Sequence, residues 1–430
     1  MLLKFQDLAR CFIGSESAAA SAIKTCAAPS LPAPATVSLP DNEDLLREIL
    51  LRLPPLPSSL PRASLVCKRW RRLVSDAGFL RRFREHHRTP PLLGYFFNDH
   101  RGPVFTPTLA PPNSIPPARF SLPQQQPAGE RLFFLGCRHG LALLINRRRL
   151  EAIVWDPVTN RQATVAYPSE FTTDNGAHCC RGAVLSGGGG GGDGDALVPG
   201  GDDGHLMRPF KVILIRTEIN HDHASVFIMC VYESGTGKWG NTISTTILSP
   251  FSNLPNVLIG NAVLCGFFQW SNGFLELDLD RQRLGVIETP VSLHSVDSSI
   301  SQVVRTQDRG LGLAILSRFS IQMWGRKADS GGVVGWVLQK TIQVDKLLSL
   351  PPSMDSLPAR ILGYDEDSNA IHLSTSTGAF AIQLESMQFT ELFNVYRIGS
   401  YYSCHPYASF YTAGWGIREG DNRTEILNNT

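Results

Sequence analysis

The sequence predicts an α+β multidomain chain in which a small all-α domain precedes a much larger all-β one. Between residues 39 and 88, apolar residues recur at three- and four-residue spacing, punctuated by prolines and aspartates. From Arg131 onward the helical period gives way to short apolar or alternating runs separated by turn residues. Polar turns after residues 234, 280, 326 and 365 then recur about 40 to 47 residues apart. A chain of 430 residues exceeds what one core usually organises, and 43% hydrophobic content supports a folded body.

Residues 1–38, rich in Ala, Ser and Pro, lack the apolar core of a secretory signal and are expected to be a disordered leader, with a transit peptide as the competitor. The first helix is expected from the Asp41-Asn42 cap to the stop at Pro54-Pro55, with Leu45, Leu46, Ile49, Leu50 and Leu53 as its apolar stripe. That stripe is wider than a three-helix core needs, so part of it should meet a partner. A second helix, entered at Pro61 and capped by Ser58 or Ser59, runs through Ala63, Val66, Cys67, Trp70, Leu73 and Val74. After Ser75-Asp76-Ala77-Gly78, a third runs from about Phe79 to His87.

Prolines then recur up to Pro127, and residues 89–130 read as a proline-rich linker. Its opening, Pro90 to Phe97, is apolar enough to pair as a strand. Strand-and-turn units follow: Leu132–Leu135, Leu141–Ile145 and Ala152–Trp155; Val212–Arg216 and Val226–Tyr232; Ala262–Trp270, Gly273–Leu279 and Leu284–Ile287. Further units cover Leu311–Leu316, Ser320–Trp324 and Gly335–Lys340, then Ile361–Tyr364, Ala370–Ser374 and Ala379–Leu384. The interval between their turns is that of one four-stranded propeller blade, and residues 131–413 hold about six such units. A blade cannot bury both faces alone, so stacking around an axis supplies the core. Residues 186–204, in which Ser186 is followed by six consecutive glycines, read as a flexible insertion, and 414–430 as a disordered tail.

Local signs of chemistry are few. No Gly-Lys-Ser/Thr follows the glycine run and no strand-to-helix context surrounds it, so a phosphate-cradling role is not expected, and no nucleophile elbow or His-Glu-x-x-His helix occurs. His221-Asp222-His223 offers two imidazoles without further ligands, while His178-Cys179-Cys180 and Cys137 with His139 lack paired zinc spacing. Polar loops and buried or loop thiols are expected there, with no metal and no cofactor. The tryptophans at 155, 239, 270, 324 and 336 lie in or at the ends of strands, where core and hairpin packing is the expectation, with Trp324 inside a blade. Nine scattered cysteines fit reduced thiols rather than a disulfide framework. A net charge of +2 is too near zero to suggest a general nucleic-acid binder, and no apolar run is long enough to span a membrane.

The Leu39-Pro40 that leads the first helix, with Ser64-Leu65-Val66-Cys67-Lys68-Arg69-Trp70-Arg71-Arg72-Leu73 behind it, resembles the plant F-box pattern; Ala77 stands where many relatives carry proline. Leu277 to Ile287, Trp324 to Gln339 and Leu384 to Phe389 resemble the F-box-associated β-propeller domain of plant proteins. The resemblance covers most of the chain beyond residue 38 and implies a substrate-recognition subunit of an SCF-type ubiquitin ligase; the cysteine usage sets the expectation that it is cytoplasmic and/or nuclear. In such an assembly the F-box, residues 39–88, docks a Skp-family adaptor and through it a cullin, while the propeller holds a target protein for ubiquitination. It further implies adaptor-binding positions at Leu39, Pro40, Leu45, Ile49, Leu50, Leu53, Leu65, Val66, Cys67 and Trp70, and no catalytic residue. Which of these face the adaptor and which face the module's own core is left open. The competing readings are a propeller enzyme or small-ligand sensor using the central channel, and a DNA-binding protein using the basic run between Lys68 and Arg88.

Overall fold

The computed structural model describes residues 43–99, 102–120, 122, 130–171, 179–186, 198–200, 205–219, 225–247, 256–267, 273–290, 301–328, 330–350, 359–393 and 404–411. The expected leader (1–38) and tail (414–430) lie outside these residues, as do Trp270, His178 and the His221-Asp222-His223 string. The chain divides into two units, residues 1–46 and 47–430. The described part of the first is the opening turn of helix α1 (Glu43–Leu51), where Glu43 and Asp44 place negative charge at the positive end of the helix.

In the second unit, Leu50 and Leu51 of α1, Leu60 and Ala63 of α2 (Ser59–Ser64), Leu73 and Val74 of α3 (Lys68–Ser75), and Phe79, Leu80 and Phe83 of α4 (Ala77–His87) are buried. The single helix expected through residues 61–74 is therefore two. The Ser64 hydroxyl donates to the Pro61 carbonyl at 2.6 Å, a local side-chain bond that competes with helix propagation. Leu65 and Val66 close a tight turn, and Cys67 is extended (φ −162°, ψ 170°) before α3 restarts. The apolar period bridged this break in the sequence because Ala63, Leu73 and Val74 enter the core from two helices. Asp76 caps α4, its carboxylate accepting from the Phe79 amide at 2.8 Å.

The remaining strands form an all-β, six-bladed propeller arrangement. Blade I holds β1 (Leu92–Asp99) and β2 (Gly102–Pro107); blade II holds β3 (Leu132–Arg138), β4 (Leu141–Asn146), β5 (Glu151–Asp156) and β6 (Arg161–Ala166). Blade III is built on β7 (Cys179–Ser186), with a hairpin of β8 (Val198–Gly200) and β9 (His205–Met207) leading to β10 (Phe210–Ile219) and β11 (Ser225–Glu233). Its outer strands β12 (Lys238–Trp239) and β13 (Ile243–Ile247) both pair with β11. Blade IV comprises β14 (Val257–Ile259), β15 (Ala262–Phe267), β16 (Gly273–Asp278) and β17 (Arg283–Glu288), and blade V comprises β18 (Ser301–Arg305), β19 (Leu311–Ser317), β20 (Ser320–Ala328) and β21 (Val334–Gln343). Blade VI takes β22 (Arg360–Asp365), β23 (Ala370–Ser374), β24 (Ala379–Gln383) and β25 (Phe389–Phe393), leaving β26 (Cys404–Ala408) to return to blade I. There it pairs antiparallel with β1, Leu92 against Ala408 and Phe97 against Cys404.

The cores lie between blades. In β4, Leu141, Leu143 and Ile145 join Val184, Val212 and Leu214 of blade III, whereas Ala142 and Leu144 join Phe96 and Tyr407 of blade I. Likewise Val212 and Leu214 of β10 face blade II while Ile213 and Ile215 face blade IV. Continuous apolar runs in the sequence are thus strands covered on both faces.

Three further expectations need correction. The stretch 89–130 is not simply a linker: it supplies β1 and β2, and Ile115 and Phe120 are buried with Phe96 and Phe105. Pro103 and Pro107 are tolerated because β2 is the outer strand of its sheet. Within the expected flexible insertion, residues 198–200 pair as β8, while 187–197 and 201–204 lie outside the described residues. Finally, the turn at Asp365–Asn369 joins the first and second strands of its blade, whereas those after 234, 280 and 326 lead into outer strands. The matching turn of blade VI is the one after Gln383. A similar spacing concealed the change of phase.

Candidate functional site

The helical module presents one apolar surface without cover among the described residues. Leu65 is 70% exposed and Val66 45%, both held by the turn that separates α2 from α3, and Cys67 beside them is exposed. Of the other expected adaptor positions, Ile49, Leu53 and Trp70 are half-buried and Leu50 is fully buried in the module. Leu45, in the first unit, is 44% exposed, while Leu39 and Pro40 lie outside the described residues. Most basic residues of α3 and α4 are solvated, with Arg82 paired to Glu48 at 3.3 Å and Arg81 near Glu85. Within the second unit the module is anchored by Ser58, whose hydroxyl donates to the Asn113 side-chain carbonyl at 2.7 Å.

A second arrangement sits at the propeller axis and was not legible as a site in the sequence. The first strands β3, β7, β14, β18, β22 and the returning β26 line the axis: neighbours touch around most of the ring, and the Asn256 amide donates to the Gly182 carbonyl at 2.6 Å between β7 and the entry to β14. From the β3–β4 turn, Arg138 reaches Glu366 in the β22–β23 turn through two bonds, Nε to Oε2 at 2.8 Å and Nη2 to Oε1 at 2.5 Å. Its Nη2 also donates to the Asn256 carbonyl, and Glu366 accepts from the Leu258 amide at 2.8 Å. One side-chain pair therefore ties blades II, IV and VI together, with Arg138 only 8% exposed and Glu366 15%. Burial opposes the Arg138 charge, but the carboxylate of Glu366 outweighs it and holds the guanidinium pKa above its usual value. Tyr364 adds a strut between blades V and VI, accepting from the Arg305 amide and donating to Asn369 at 2.6 Å.

Around this pair remains a cavity of about 60 Å³. That is room for a few ordered waters. Cys137 is occupied there by a bond from its thiol to the Pro406 carbonyl at 3.0 Å, and burial pushes its pKa up. His139 stands at the tip of the same turn, and no cluster of three or more metal-ligating side chains occurs among the described residues. The side chains of Cys179 and Cys180 lie outside what the structure describes. Of the tryptophans, Trp155 is fully buried, while Trp324 is half-buried against the core of blades IV–VI rather than inside it. No helix among the described residues is long and apolar enough to cross a membrane.

Comparison with known proteins gives one family match: residues 38–82 match the F-box domain. No curated protein matches the chain. Similar solved structures include a luciferin-regenerating enzyme at 7% identity and a TM-score of 0.32, with 60% of this chain and 76% of that one covered. Another is the PQQ-bound aldose sugar dehydrogenase from Streptomyces coelicolor at 9% identity and a TM-score of 0.27, covering 62% and 86%. Both similarities are too weak to support an argument about activity. What the family match and the sheet order give together is a chain with an F-box domain at residues 38–82 followed by a six-bladed β-propeller arrangement.

Proposed function

We propose that this chain is the substrate-recognition subunit of an SCF-type ubiquitin ligase, not itself an enzyme. The observation that carries the reading is the F-box match at residues 38–82, whose exposed Leu65-Val66-Cys67 surface offers the apolar anchors a Skp-family adaptor needs. Ile49, Leu53 and Trp70, half-buried, contribute at the edge of that contact, and Leu50 serves the module's own packing. The propeller holds a target protein on its loops. Catalysis is then proximity, because holding the target beside a ubiquitin-loaded enzyme raises the effective concentration of its lysines.

The test is reconstitution of the full chain with a Skp-family adaptor and cullin, measured by co-purification and titration. The double variant Leu65→Asp, Val66→Asp changes only exposed positions, so the melting temperature should hold while adaptor affinity falls about tenfold or more. Unchanged affinity would exclude this surface, and failure of the wild-type chain to bind adaptor would exclude the ligase reading.

A further inference from the structure

The polar groups at the propeller axis are matched to one another, but a second and larger cavity nearby is not balanced in charge. It has a volume of about 320 Å³ and lies between the C-terminal end of α4 and the turns of blades II and VI. Arg84 and Arg88 line it from the helix, Arg161 from the start of β6, and Arg208 from the segment after β9. Asp156 and Asp367 are the carboxylates in the same wall, so the wall's formal charge is four positive against two negative.

The ordinary explanation for arginines here is compensation of the negative end of α4. It accounts for Arg84 and Arg88, which lie in the last turn and at the C-cap. It does not account for Arg161 and Arg208, which the propeller contributes from separate segments. Arginines that line one cavity from three parts of the chain supply the planar donors that bind carboxylate or phosphate oxygens in pairs. A volume near 300 Å³ is also the lower bound of small-molecule sites.

We propose that this cavity binds a free, multiply charged small anion, of the phosphate or polycarboxylate class, which bridges α4 to the propeller. Bound there, the anion offsets the excess positive charge and fixes the helical module against blades II and VI. The proposal does not depend on the ligase reading, since it concerns only the junction within this chain.

The experiment uses the purified full chain, with pyrophosphate and citrate as probes and sodium chloride at matched ionic strength as control. Thermal shift and titration calorimetry should show a saturable rise in melting temperature with either probe that chloride does not reproduce. Arg88→Ala and Arg208→Ala should each weaken binding about tenfold or more, whereas Asp367→Asn, which removes a repelling charge, should tighten it. If Arg208→Ala does not fold, the exposed Arg88→Ala and Asp367→Asn still decide. No saturable binding at millimolar concentrations, or binding that Arg88→Ala and Asp367→Asn leave unchanged, would overturn the proposal. Binding of a phosphoserine peptide but of neither free probe would overturn it as well, by showing that the oxygens belong to a protein ligand.

Discussion

The three turns built on Asp156, Asp278 and Asp365 share one device, visible residue by residue. The aspartate carboxylate accepts from the backbone amide two residues on, at 3.0 to 3.1 Å, and the fourth residue after it takes a positive φ: 56° at Asn160, 46° at Gln282 and 50° at Asn369. Titration is decided at this scale too. Burial lowers His372 and His405 to a pKa of about 4, from the usual 6.5. The unfolded chain takes up protons at both sites as pH falls below 6.5, while the native state refuses them. Stability from these groups is therefore complete above pH 6.5 and is lost as pH falls through about 4. Asp367 works in the opposite sense: burial, then repulsion by Asp365 and Glu366, raises it to about 6, so acid relieves a cost there. Its exposure makes that contribution smaller. The melting temperature should fall between pH 6.5 and 4.5, with a shallower fall in His405→Phe and a steeper one in Asp367→Asn. Equal slopes in His405→Phe and wild type would refute the assignment. The aspartate turns could be read from sequence because donor and acceptor lie within four residues. The pairing of Arg138 with Glu366 could not, since it joins turns of two distant blades.

At the level of elements, the hairpins were legible because turn residues bracket each apolar run, and the direction in which each run faced was not. Leu141 to Ile145 carries no alternation, since both faces of β4 are covered, so the sequence does not say which residue meets which neighbour. The split of the second helix was hidden for a related reason, as a solvent-facing Val66 and Cys67 fell in phase with the buried residues around them. Two tryptophans link neighbouring blades at their outer strands. Trp239 in β12 donates its indole N–H to the Ala166 carbonyl ending β6 at 2.9 Å, and Trp336 in β21 donates to the Glu288 carbonyl ending β17 at 2.7 Å. Each bond joins a blade to the one before it. Replacing Trp336 by phenylalanine keeps most of the ring contact and removes the donor, which should cost about 0.5–1.5 kcal/mol. Denaturant unfolding should show the midpoint shift with an unchanged slope, and an unshifted midpoint would mean that water replaces the bond without loss.

For the molecule as a whole, the ring closes through one strand. β26 is the inner strand of a blade whose other strands, β1 and β2, come from the beginning of the same domain. Tyr407 from β26 is fully buried among Phe96, Phe105 and Phe120, its ring centroid 5.4 Å from that of Phe96 and its hydroxyl donating to the Gly140 carbonyl at 3.2 Å. Ending the chain at residue 403 should therefore do more than remove one strand, because it exposes the aromatic core of blade I and the edge of β1 together. Dye binding and gel filtration should report exposed apolar surface and self-association. A truncated chain that stayed monomeric and unfolded in one sharp transition would show that the six sheets hold without closure.

The position of β26 also sets an order of events on the ribosome. The helical module and β1 emerge first, yet β1 must wait for a partner that is translated after every other blade. Through that interval its inner edge stays unpaired, a period in which chaperones or a neighbouring nascent chain compete for it. One contact of the helical module, Phe83 of α4 against Phe410 with ring centroids 6.3 Å apart, waits for the same end of the chain. Leu65 and Val66 lie in a turn closed by local backbone bonds, so that surface can form before the propeller is complete, and its exposure alone does not mark a finished chain.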